Sequence, residues 1–223
     1  MLPLKDDVPA VRVRFPYVNL GLIAANVLIF IYEISLSRIQ LEQFIFRYGA
    51  IPVFIINGER LPALFSSMFL HGGFDHIIGN MLYLWIFGDN VEDACGHLGF
   101  LVMYLLAGLS GAFLHILTAM NSRTPMIGAS GAISGVLGAY LVLFPTARIL
   151  ALIPFGFFIR LVYLPAYLFL GLWILLQFIY GFASLPGIGG GIAFFAHIGG
   201  FLFGLIWGLI LRPRRNKGRT LYF

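Results

Sequence analysis

Three short stretches of this chain place polar side chains where acyl-transfer chemistry would need them. Residues 71–80, HGGFDHIIGN, carry His71, His76 and Asn80. Residues 128–135, GASGAISG, set Ser130 and Ser134 among glycines, and residues 194–208, FFAHIGGFLFGLIWG, carry His197. A hydroxyl beside a neutral imidazole is an activated nucleophile. Amide and imidazole N–H groups can hold the oxyanion that its attack creates. Taken singly each stretch is weak, because glycine and serine are frequent in membrane helices and a lone membrane histidine is usually a packing residue. What matters is whether the elements carrying them bring them together.

The composition names the solvent of those elements. The 223 residues are 60% apolar, 16% aromatic and 10% charged, with a mean hydropathy of +0.95. Soluble domains carry about 25% charged residues. A bilayer core about 30 Å thick takes about 20 apolar helical residues to cross. Six stretches qualify: 18–36, 74–94, 98–119, 129–145, 161–181 and 191–211. The expectation is an all-α membrane protein. It is a single domain: a short N-terminal segment 1–17, a six-span core 18–211 and a basic tail 212–223. The first stretch has no small-residue cleavage site after it and is read as retained.

Six spans put both termini on one side of the membrane. That side holds Lys5, Arg12, Arg14, Arg148, Arg160, Arg212, Arg214, Arg215, Lys217 and Arg219; the other holds Arg38, Arg47, Arg60 and Arg123. Ten cations against four place both termini in the cytoplasm. The tail RPRRNKGR is expected to meet anionic headgroups rather than nucleic acid.

Buried polar groups in a bilayer are costly and are functional candidates by default. The second, fourth and sixth spans all run from outside to inside, so their polar starts share one depth near the outer leaflet. His76 and Asn80, four residues apart, lie on one helix face. Gly131, Gly135 and Gly138 form one smooth stripe, and His197, Gly200, Gly204 and Gly208 form another. Small residues at such intervals let membrane helices approach closely. The fourth and sixth spans are therefore expected to pack backbone to backbone, with Ser130 and His197 in hydrogen-bonding reach. Asp and Glu are absent from residues 94–223, so a Ser130–His197 dyad is preferred to a soluble-type triad. The HExxH pattern of zinc proteases is absent as well, and neither metal nor cofactor is expected. An aspartyl mechanism would need two membrane carboxylates, and the first span offers Glu33 alone.

The rest is less specific. Residues 37–73 read as short amphipathic pieces in the outer interface or as a plain loop. Four of the five residues 187–191 are glycine, either a flap over the site or a simple turn. The single cysteine, Cys95, is expected in the loop after the second span as a spare thiol.

Together the three motifs resemble the rhomboid family of intramembrane serine proteases, over roughly residues 60–211. The family pattern is HxxxxHxxxN in the second span, GxSG at the head of the fourth and AHxxG in the sixth. Here His71, His76 and Asn80 match the first, Gly128, Ser130 and Gly131 the second, and Ala196, His197 and Gly200 the third. The resemblance implies that Ser130 attacks the scissile carbonyl and His197 takes its proton. His76, Asn80 and the Ser130 amide would hold the oxyanion, with His71, Gly128, Gly131 and Gly200 in support. It implies single-pass transmembrane proteins as substrates, cut near the outer surface; the compact six-span plan suggests a bacterial cytoplasmic membrane. It also implies that the fifth span and the loop after it form a gate and cap. Two positions depart from the pattern. Pro62 and Ala63 stand where many members carry Trp-Arg in the first loop. Ser134 stands where some carry an aromatic that stacks on the histidine, so orientation of His197 must come from another contact, Ser134 being the candidate. The competing readings are a non-catalytic relative acting as a membrane chaperone or dislocation factor, and a transporter, which would need charges along its pathway.

Overall fold

The computed structural model describes residues 1–8, 15–155, 158–184 and 193–215. The glycines at 187–191 and the tail beyond 215 lie outside the described residues. Among the described residues four helices are long and apolar enough to cross a membrane: α1 (Tyr17–Ser35), α6 (His97–Thr118), α8 (Ala166–Ser184) and α9 (Phe194–Arg215). Helix α5 (Phe74–Cys95) is as long as α6 but carries Asp75, Asp89, Glu92 and Asp93, and α7 (Ser130–Leu143) is a shorter apolar helix. Leu28, Ile31, Trp85, Phe113, Leu175 and Ile206 are exposed on these helices. Such an apolar exterior, around a core that includes Phe87, Phe100, Tyr104, Tyr140 and Phe201, suits lipid and not water. Cys95 is the last residue of α5 rather than part of a loop, and Gly96 alone joins α5 to α6. Its φ of 73° is one that only glycine adopts readily.

The central contact is between α7 and α9, and glycine makes it possible. A Cβ added to Gly200 would fall on the carbonyl oxygen of Gly131, one on Gly204 on that of Gly135, and one on Gly138 on that of Phe201. The expected backbone-to-backbone approach is what the chain adopts. Helix α6 closes the third side. A Cβ on Gly111 would lie 2.5 Å from the Ala196 carbonyl oxygen, and the Ser110 hydroxyl donates to the Gly199 carbonyl at 3.1 Å.

Residues 37–73 form amphipathic pieces and not a plain loop: α2 (Arg38–Tyr48), α3 (Pro52–Ile56), α4 (Ala63–Ser66) and a 3-10 turn over Ser67–Phe69. Ser37 and Gln40 close a reciprocal capping box at the start of α2, which satisfies two otherwise free N–H groups. With Trp-Arg absent, Arg60 anchors this loop. Its guanidinium lies 4.5 Å from the Phe46 ring centroid and 4.7 Å from that of Phe54, and it donates to the Phe46 carbonyl at 2.9 Å.

The chain is not all-α. Strands β1 (Leu2–Asp6), β2 (Arg148–Phe155) and β3 (Phe158–Pro165) form an antiparallel sheet in the order β1-β2-β3. In register, Leu2 faces Leu152, Asp6 faces Ile149, Arg148 faces Pro165 and Phe155 faces Phe158. Residues 161–165, expected at the head of the fifth span, are strand, so α8 starts at Ala166. Residues 2–6 are likewise an ordered strand.

Asp6 fastens that strand to the helices. Its Oδ2 accepts from the Tyr140 hydroxyl at 2.5 Å and from Asn90 Nδ2 at 2.8 Å. Burial pushes the Asp6 carboxyl up to about 6. Nearby, α1 starts behind Pro16 without a side-chain cap of its own. Buried Glu92 of α5 supplies one, accepting the Val18 and Asn19 N–H groups at 3.0 and 2.7 Å and facing His97 Nδ1 at 2.5 Å. A carboxylate there satisfies free N–H donors and suits the positive end of the helix.

Candidate active site

The starts of α5, α7 and α9 meet at one end of the bundle, and they carry the polar residues singled out above. Ser130 is the first residue of α7. The backbone leading to it is held by the first loop: Ala50 and Met126 exchange hydrogen bonds at 3.0 and 2.8 Å, and the Gly128 N–H donates to the Ser67 carbonyl at 2.8 Å. Gly128 has φ 119°, and a Cβ there would come 2.7 Å from His76 Nε2. Glycine therefore serves the turn and also the close approach of an imidazole.

His197, in the first turns of α9, reaches Ser130 directly. Its Nε2 stands 2.8 Å from the Ser130 hydroxyl. Its Nδ1 stands 2.8 Å from Oε1 of Gln177, one face of α8. An amide oxygen only accepts, so Nδ1 carries the proton, Nε2 is bare and the serine hydroxyl donates to it. The expectation that Ser134 orients His197 fails. The Ser134 hydroxyl donates instead to the Ser130 carbonyl one turn back, at 2.6 Å. Trp173 and Phe194 flank the imidazole, with ring centroids 6.0 and 6.4 Å from it.

The second group faces the same loop. The Gly72 N–H donates to His76 Nδ1 at 3.3 Å, which puts the His76 proton on Nε2, the atom turned toward Gly128. Asn80 Nδ2 lies 3.8 Å from where a Gly128 Cβ would stand and 3.0 Å from His71 Nε2. His71 thus sits behind Asn80 and not at the serine. Its own N–H is held by the buried Glu33 carboxylate at 3.1 and 3.3 Å. Glu33, the lone acid of the first span, is committed to positioning this segment.

Beside Ser130 lies a cavity of about 20 Å³, lined by Met68, Gly108, Ala112, Met126, Ile127 and Ala196 among others. That volume admits little more than one water or a small side chain. The arrangement offers a hydroxyl polarised by a neutral base, two side-chain N–H donors aimed at the GASG turn, and the free amides at the start of α7. Among the described residues no cluster of His, Cys, Asp and Glu could hold a metal ion.

Gln177 was missing from the sequence reading. It lies in the run ILLQFIY, and a polar side chain inside an apolar span was signal enough to nominate it. What the sequence lacks is any indication of its partner.

The family model described as the Rhomboid domain matches residues 58–214. RHOMBOID-like protein 5 of Arabidopsis thaliana is 35% identical over 162 residues, 73% of this chain and 47% of that protein. Rhomboid protein 1, mitochondrial, of Saccharomyces cerevisiae is 29% identical over 164 residues, 70% and 44% respectively. The human presenilin-associated rhomboid-like protein, mitochondrial, is 32% identical over 197 residues, 84% and 46%. The chain spans about half the length of these relatives. They are eukaryotic and two are named mitochondrial, so they lend no support to a bacterial membrane; what stands is an integral membrane protein. With a matching model over most of its length and relatives that share its core, the chain belongs to the rhomboid family.

Proposed function

We propose that the protein is an intramembrane serine endopeptidase working through a Ser130–His197 dyad. The observation that carries this reading is the 2.8 Å hydrogen bond from the Ser130 hydroxyl to His197 Nε2 at the head of a helix facing His76 and Asn80. In the first step Ser130 Oγ bonds to the scissile carbonyl carbon and its proton passes to His197 Nε2. The carbonyl oxygen becomes an oxyanion, received by the Ser130 amide, His76 Nε2–H and Asn80 Nδ2–H. Collapse breaks the C–N bond, and His197 returns the proton to the departing amine. Water, deprotonated by His197, then releases the acyl group and restores Ser130. Each oxyanion donor of this kind contributes about 3–4 kcal/mol of barrier lowering.

The proposed topology has six spans with both termini in the cytoplasm. A helix of 14 residues is about 21 Å long. With the Leu143 end of α7 at the inner boundary of a core about 30 Å thick, Ser130 lies roughly 9 Å below the outer one. Such a depth suits single-pass transmembrane substrates, and the small cavity beside Ser130 suits a small side chain next to the scissile bond.

A labelled fluorophosphonate or chloroisocoumarin probe and a reconstituted model transmembrane substrate test the proposal. Labelling and cleavage by the parent chain, both abolished in Ser130→Ala with thermal stability unchanged, support it. Cleavage by Ser130→Ala at the parent rate overturns it, and a parent that binds the substrate helix without cutting it favours the chaperone reading.

A further inference from the structure

Both ring nitrogens of His197 are engaged, and the one turned away from Ser130 meets a residue that no motif includes. We propose that Gln177 is a positioning residue: its side-chain carbonyl holds His197 as the Nδ1–H tautomer and so keeps Nε2 bare toward Ser130. The inference rests on the reading of Ser130 and His197 as a dyad.

A neutral imidazole has one donor and one acceptor nitrogen, and a side-chain amide can serve either by flipping. Here the flip is decided by the backbone of α8. Gln177 Nε2 is turned toward the Trp173 carbonyl, 3.5 Å away and one turn back, which leaves Oε1 facing His197 Nδ1 at 2.8 Å. The flipped amide would set oxygen against the Trp173 carbonyl oxygen and would donate to Nδ1. That would move the ring proton to Nε2, where it blocks acceptance from Ser130.

Among the described residues nothing else near the ring selects the tautomer. The Ser134 hydroxyl is spent on the Ser130 carbonyl. Helices α6 to α9 contain no acid, and Glu33 is engaged by the His71 N–H. Trp173 and Phe194 confine the ring without bonding to its nitrogens. An amide in this position gives direction without the cost of a charge inside the bilayer.

The test uses the full chain, purified and reconstituted, as parent, Gln177→Met and Gln177→Glu. Methionine matches the length without an acceptor, and glutamate restores an acceptor with charge. The first readout is the ¹⁵N shift pair of the His197 ring, assigned by its loss in His197→Ala; it does not depend on activity. The expected result is Nδ1–H in the parent and loss of that preference in Gln177→Met. The second readout is kinetic. Gln177→Met lowers kcat about tenfold or more with KM within about twofold, since a wrong histidine tautomer disables the base. Gln177→Glu recovers most of kcat and moves the acid limb of the pH–rate profile upward, because a carboxylate stabilises the imidazolium. His76 of α5 and His115 of α6, the titratable groups facing His197, are common to all three proteins.

Parent tautomer and parent kcat in Gln177→Met overturn the proposal. If that variant does not fold, an unmoved acid limb in Gln177→Glu overturns it instead. Cleavage that survives Ser130→Ala sinks the dyad and not the tautomer assignment, which the nitrogen shifts report separately.

Discussion

The α7–α9 contact is tight enough that one methyl group should separate its ends. In Gly200→Ala the new carbon would be placed on the Gly131 carbonyl oxygen, directly after Ser130 and three residues after His197. Non-bonded heavy atoms rest about 3.5–4.0 Å apart, so α9 must retreat from α7 by more than about 1 Å at that point. Overpacking of this sort costs about 1–3 kcal/mol. The larger effect is on geometry, because the 2.8 Å bond between Ser130 and His197 spans the same gap. A misplacement of about 1 Å can cost roughly 100-fold in rate. Gly208→Ala is the matched control. It adds the same methyl to the same stripe, 2.9 Å from Val142 Cβ and 3.1 Å from the Ala139 carbonyl oxygen, at about 16 Å along the helix from His197 by rise. The assay is the second-order rate of fluorophosphonate labelling in proteoliposomes, with thermal unfolding measured in parallel. Gly200→Ala should lose about two orders of magnitude in labelling, whereas Gly208→Ala should lose some stability and little rate. Equal labelling rates in Gly200→Ala and the parent would refute the argument that this contact holds the site.

The opposite end of the bundle gives two further predictions, and the first loop gives a third. Glu92→Ala leaves the Val18 and Asn19 N–H groups unsatisfied and should cost about 2–4 kcal/mol, read by unfolding; Glu92→Gln should recover part of it. Asp6 titrates near 3.8 when unfolded and at about 6 when folded. Between those values the folded state binds more protons, so its contribution is full below 3.8 and is lost as pH rises through 6. Unfolding of the parent across pH 4–7 should show this fall, and Asp6→Asn should flatten it. Arg60→Ala removes both ring contacts, each about 0.5–1 kcal/mol at an exposed site, and should speed limited proteolysis within residues 37–73.

Much of the candidate site was legible because a lipid-embedded chain leaves few polar residues to choose from. Ser130, His197, His76 and Asn80 stand out by type, and the glycine stripes say which helices touch. Helix limits followed from hydropathy to within a few residues, as with α1 and α6. The sheet was not legible. Residues 149–159 and 161–165 are apolar runs parted by Arg160 alone and feeding into α8, and such runs do not distinguish a buried strand from the head of a helix. Pro154 and Pro165, with the β-branched Ile149, Ile153, Ile159 and Val162, were the available hints. Strand β1 pairs with β2 across more than 140 residues, so no local turn announces it. Gln177 satisfied the criterion that selects His197, but its role exists only once α8 lies against α9.

Strand β1 has a practical corollary. It covers one flank of β2, so a shortened chain beginning at α1 would bare a row of backbone donors and acceptors on β2, a template for pairing with other chains. The same cut would strip Tyr140 and Asn90 of their shared carboxylate partner. Any affinity tag or fused partner placed ahead of Met1 must therefore leave the opening strand free to pair, and trimming these residues to tidy the molecule invites aggregation of an otherwise sound helical body.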